Sequence, residues 1–125
     1  MSNIVVFPKR TESQPASASP SSDTLSFVKR RKPKGGGFDY WAVSPSGNYT
    51  RDCAAGKLLA DEYLAFIGKY PTVGNATLLN CIVHEMVEHG KSGNGWSGVH
   101  LGFIHAVNEY AMAKAVMMQA NGNRT

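Results

Sequence analysis

Two cysteines, Cys53 and Cys81, are all the thiols in this chain of 125 residues. That is too few for a disulfide framework or a cysteine zinc set. Both fall within predicted helices, so free thiols in a reducing cytoplasm are expected. Long apolar runs are missing as well. No stretch approaches the ~20 apolar residues that a membrane-spanning helix needs. The opening MSNIVVFPKR offers an apolar run of only four residues before Pro8, too short for a signal peptide. A cytoplasmic chain without membrane contact is the expectation. Acidic residues are also missing beyond Glu109, and that gap decides one of the motifs below.

What is there is unevenly distributed. Residues 1–37 hold seven basic side chains against Glu12 and Asp23, whereas residues 38–125 hold six basic against seven acidic. The sequence pI near 9.2 therefore belongs to the first segment, and the remainder is close to neutral. A basic pI alone would suggest a nucleic-acid-binding fold, but here only an appendage is basic.

Residues 1–37 read as a disordered basic arm. TESQPASASPSSDT (11–24) is low in complexity and has too little apolar surface to offset its ordering entropy. Ile4–Phe7 and Leu25–Val28 are its two apolar patches. The arm ends in Lys29, Arg30, Arg31, Lys32, Pro33 and Lys34, then Gly35-Gly36-Gly37 as a hinge. The cations Lys29, Arg30, Arg31, Lys32 and Lys34 are the candidate nucleic-acid contacts, since such a run would neutralise phosphates without reading sequence.

Residues 38–125 read as an all-α, three-helix domain. Phe38–Val43 is a short aromatic extended segment, expected to lay its rings over the helices rather than to pair as a strand. Ser44-Pro45-Ser46-Gly47-Asn48 is a dense turn signal. A first helix capped by Asn48 or Thr50 follows, to about residues 66–68, with Asp52 at the positive end of its dipole. Ala54-Ala55-Gly56 would let another backbone approach closely. A second helix should start after Asn75 as cap and stop at Gly90, burying Leu78, Leu79, Ile82, Val83, Met86 and Val87.

The third helix, capped by Ser97, covers GVHLGFIHAVNEYAMAKAVMMQA. Its main apolar face runs through Val99, Phe103, Val107, Tyr110, Ala111, Met117 and Met118, yet Leu101, Met112 and Val116 make the opposite side apolar too. A helix apolar on two sides is either central in its own fold or covered by another molecule.

Three motifs suggest chemistry and fail on geometry. In His84-Glu85-Met86-Val87-Glu88-His89 the histidines are five apart, so at ~100° per residue they diverge by about 140° and cannot share the zinc of an HExxH helix. A metal-dependent enzyme would need His84 and Glu88 to converge with His100 or His105. The second motif, Gly93-Asn94-Gly95-Trp96-Ser97-Gly98, matches the spacing of a dinucleotide loop. It lacks both the preceding strand and the acidic residue ~20 positions later. Lastly, Gly-Trp-Ser-Gly around Ser97 is one position off a nucleophile elbow. Nor does the third helix suit a helix-turn-helix, because GVHLGFIHAVNEYA presents no Arg, Lys or Gln to base edges.

No catalytic residue, metal ligand or cofactor site is therefore expected. The sequence supports a non-catalytic interaction or adaptor protein that binds a protein partner or self-associates through Leu101, His105, Met112, Val116 and Trp96. Direct nucleic-acid binding by the basic arm and a small metal-dependent enzyme are the alternatives.

Overall fold

The computed structural model describes residues 19–31, 36–91 and 96–122. The apolar patch Ile4–Phe7, the cations Lys32 and Lys34, and the loop Gly93–Gly95 lie outside them. The protein is mostly helical, as its apolar periodicity requires. Its elements are β1 (Lys29–Arg30), β2 (Phe38–Asp39), α1 (Tyr49–Lys69), the single-turn α2 (Val73–Ala76), α3 (Leu78–Lys91) and α4 (Gly98–Gly122). The described residues divide into two compact units, those between 19 and 42 with 63–91 and residues 43–62 with 96–122.

In the first unit, a 3-10 turn at Ser22–Thr24 leads into β1, which pairs antiparallel with β2 in the register Lys29↔Asp39 and Arg30↔Phe38. Two expectations change here. Leu25, Phe27 and Val28 are buried to 2–3% exposure, so this part of the supposed arm is core. Phe27 meets Trp41 edge-on with ring centroids 5.6 Å apart, and its carbonyl accepts the Ala42 N–H at 2.8 Å. The low-complexity composition upstream masked a four-residue apolar patch whose burial is decided by contacts distant in sequence. Phe38–Asp39 also pairs as a strand after all, and its partner is the basic run itself. Gly37, at φ +72°, supplies the left-handed backbone just before β2.

The helical part of this unit shifts slightly from expectation. Asn75 does not cap the second long helix: it lies inside α2, where Thr72 is the cap and its hydroxyl accepts the Asn75 N–H. The Asn75 side-chain amide instead donates to Tyr70 O and Ser19 Oγ. Glycine at position 90 does not stop α3, which runs on to Lys91. Its buried residues are Leu78, Ile82, Glu85 and Met86, while Val87 is 42% exposed. A carboxylate thus sits on the face expected to be purely apolar.

In the second unit, Asn48 Oδ1 accepts the Arg51 N–H to cap α1. Asp52 reaches back over the preceding turn, accepting hydrogen bonds from Ser46 N, Ser46 Oγ and Gly47 N. Ser97 Oγ accepts the Val99 N–H at the start of α4. The N-terminal halves of α1 and α4 approach closely because both present glycine at the contact. A β-carbon at Gly56 would collide with Val99 and Phe103 backbone, and one at Gly102 with that of Cys53. Val99, Phe103 and Ala106 are buried, whereas every residue from 108 to 122 is exposed. Tyr110 and Met117, expected on the buried face, are 61% and 58% exposed. The covered half of α4 therefore ends at about Val107, and the apolar pattern continues beyond it.

Candidate functional site

The exposed half of α4 is the most unusual surface among the described residues. Over residues 108–122 only Glu109 and Lys114 carry charge. Tyr110, Met112, Val116, Met117 and Met118 are each more than half exposed. At ~100° per residue these side chains point in several directions, so the bare apolar surface wraps most of the way round the helix.

An open groove of about 610 Å³ adjoins this segment within the second unit. Tyr49, Cys53 and Lys57 of α1 form one wall, with Leu101, His105 and Glu109 of α4 on the other. The groove exists because the glycine contacts hold the helix starts together while larger side chains follow. His105 and Glu109 form an i,i+4 pair at 3.3 Å on its rim. Of the sequence-proposed partner residues, Leu101 and His105 line the groove and Met112 and Val116 lie on the bare segment beyond it. Trp96, 42% exposed, stacks on the His100 ring at 5.4 Å. His100 itself is buried, with Nδ1 accepting the Ser97 N–H at 3.0 Å.

The first unit contains a charged cluster that sequence spacing did not reveal. The Arg31 guanidinium donates to Glu85, a carboxylate with only 8% side-chain exposure. Beside it, His89 Nε2 lies 2.9 Å from Asp39 Oδ1, which also accepts the Trp41 N–H. Partial burial pushes the Asp39 carboxyl up, but hydrogen bonds from His89 and Trp41 outweigh it and hold the group below its ordinary range. The hydrogen bond and charge of Glu85 raise Arg31 further above its usual value. Within the HEMVEH stretch, Glu85 turns to Arg31, His89 to Asp39 and Glu88 to Lys91 at 3.0 Å. Residues 54 apart in sequence made this cluster, so no local pattern could announce it.

Asp39, Glu85 and His89 each bring one ligand atom within 4.8 Å of the others, the spacing of a loose metal site. Glu85, however, already accepts from the Arg31 guanidinium, and Asp39 accepts the Trp41 N–H and lies beside His89, so both carboxylates have partners without an ion. The residues of the metal-enzyme alternative are divided: His84 and Glu88 line a cavity with Arg31 in the first unit, and His100 and His105 belong to the second.

Of the nucleic-acid candidates, Lys29, Arg30 and Arg31 are exposed residues at the β1 end of the hairpin. Arg30 pairs with Asp23 at 3.5 Å and covers the Phe38 ring, and Arg31 is held by Glu85. Two of these cations thus meet acids of their own chain. No helix among the described residues is long and apolar enough to cross a membrane. Comparison with protein-family models, with curated proteins and with solved structures finds no match.

Proposed function

We propose that this chain is a small, non-catalytic, cytoplasmic interaction protein whose contact element is α4. The observation that carries this reading is the uninterrupted exposure of residues 108–122, with five large apolar side chains bare. Leaving apolar surface in water forgoes about 25 cal/mol per Å², and contiguous patches of this kind mark sites of association. The groove beside Leu101 and His105 extends the surface, giving an incoming apolar side chain a recess. Met112, Val116, Met117 and Met118 suit such a contact, because flexible and branched aliphatic chains adapt to a partner. Trp96 lies at the start of the same helix and would close one end of the contact.

The test is isolation of the intact protein from its native host beside a Leu101→Glu, Val116→Glu variant. The wild type is expected to associate with a discrete protein or with itself, and the variant to lose that association while keeping its helical circular dichroism. Identical association profiles would remove α4 as the contact element.

A second reading, nucleic-acid binding, draws support from Lys29 and Arg30, which β1 holds in exposed positions. Deleting the arm cannot test it, since Leu25, Phe27 and Val28 are core. Replacing Lys29, Arg30, Lys32 and Lys34 with alanine is the suitable variant. If the reading holds, duplex DNA or RNA binding at low salt weakens steeply as salt rises, and the variant flattens that slope. No binding at low salt by the wild type removes it.

A further inference from the structure

We infer that the occupant of the bare half of α4 is a second copy of the same helix, paired parallel and in register. This rests on the reading of α4 as the contact element and names the partner of one stripe of it: with Tyr110 at a, Met112 and Met118 fall at c and b, outside the stripe this partner covers. Residues 106–120 carry a heptad pattern: Tyr110 and Met117 at a, and Ala106, Ala113 and Ala120 at d. This stripe continues the one that begins with Val99 and Phe103, buried inside the chain. Ala106, 8% exposed, is its last covered member, and the rest of the stripe is bare.

In this register Glu109 falls at g and Lys114 at e, flanking the stripe on opposite sides. These are the only two charged residues in the exposed segment. Both are exposed enough to reach a neighbour: the Glu109 side chain is 57% exposed within its surface pair with His105, and Lys114 is exposed. Two parallel helices in register place each g residue beside the e residue five positions later on the opposite helix. Glu109 of each copy then meets Lys114 of the other, and two-fold symmetry makes two such pairs.

An antiparallel arrangement loses this match. There g faces g and e faces e, so Glu109 would meet Val116 or another Glu109, and Lys114 would meet Val107, Asn121 or another Lys114. The charge pattern therefore selects orientation as well as partner. Alanine at successive d positions lets the backbones approach, and Tyr110 and Met117 fill the alternate layers. The bare part of the stripe, residues 110–120, makes a short contact: eleven residues at ~1.5 Å each span about 16 Å. A weak, concentration-dependent dimer with a dissociation constant on the order of tens of micromolar follows, because so small an interface barely exceeds the cost of association.

The experiment uses the full chain with Cys53→Ser and Cys81→Ser, so that one introduced thiol reports geometry. Sedimentation velocity up to ~500 µM should show a monomer–dimer equilibrium. Under mild oxidation Ala113→Cys, at a d position facing its own symmetry mate, should cross-link about tenfold faster than Ala115→Cys on the outer face. Glu109→Lys should weaken the dimer about tenfold, and adding Lys114→Glu should restore it. A monomer throughout that range, equal cross-linking at both positions, or no rescue by the charge exchange each overturns the inference. If the chain stays monomeric while α4 substitutions abolish capture of a different protein, the reading of α4 as contact element stands and its partner is not a second copy. If it stays monomeric and those substitutions change nothing, both fall.

Discussion

Gly102 lies directly against the backbone of Cys53: a β-carbon added there would overlap the Cys53 carbonyl. That contact, with its counterpart at Gly56, sets how closely α1 and α4 begin and where the groove beside Leu101 opens. Gly102→Ala or Gly56→Ala should destabilise the fold by about 1–3 kcal/mol in urea unfolding, because backbone rather than a flexible side-chain end must move. Gly68→Ala meets nothing within 4 Å and should be neutral or stabilising by up to ~1 kcal/mol. Equal effects at positions 102 and 68 would contradict the close approach.

Phe27 tests the boundary of the folded body. It is 2% exposed and packs on Trp41, so Phe27→Ala should cost about 3–5 kcal/mol, the usual loss for a buried ring. A change below ~0.5 kcal/mol, typical of a surface site, would return Leu25–Val28 to a free arm.

Arg31 and Glu85 should behave as a unit. Arg31→Met alone leaves a buried carboxylate without its cation and should lower the thermal midpoint. Arg31→Met with Glu85→Met should recover most of that loss, as apolar replacement of both members removes the desolvation cost. Additive single and double effects would show that the two side chains are not coupled.

Asp52 predicts an acid limb. Hydrogen bonds from the Ser46 side chain and backbone hold its carboxyl below the ordinary value of 3.8. A folded-state value below the unfolded one means the stabilisation is complete above pH 3.8 and is lost as pH falls through the lower folded value. Asp52→Asn should therefore flatten the stability profile in that acid window and cost stability near neutrality. A profile identical to wild type would show that the Ser46 contacts do not persist in solution.

Added zinc should leave the thermal midpoint unchanged, because Arg31 and His89 already occupy the carboxylates of Glu85 and Asp39. A rise abolished by His89→Ala would instead assign that cluster to a metal.

Much of the protein was determined by local sequence. Apolar residues at helical spacing, Asn48 and Ser97 as caps and the turn at Ser44–Asn48 were enough to indicate a three-helix body. The failure of HEMVEH as a zinc helix was also local, since five-residue spacing separates its histidines whatever surrounds them. Tertiary structure decided the rest. Whether Leu25–Val28 is arm or core depends on Trp41 lying beside Phe27. Glu85 reads as helix surface until Arg31, far away in sequence, meets it. The double apolar character of α4 was legible, but not where its covered half ends. Periodicity reports which residues share a face; only the length of neighbouring elements determines how far that face is covered, and here cover stops near Val107.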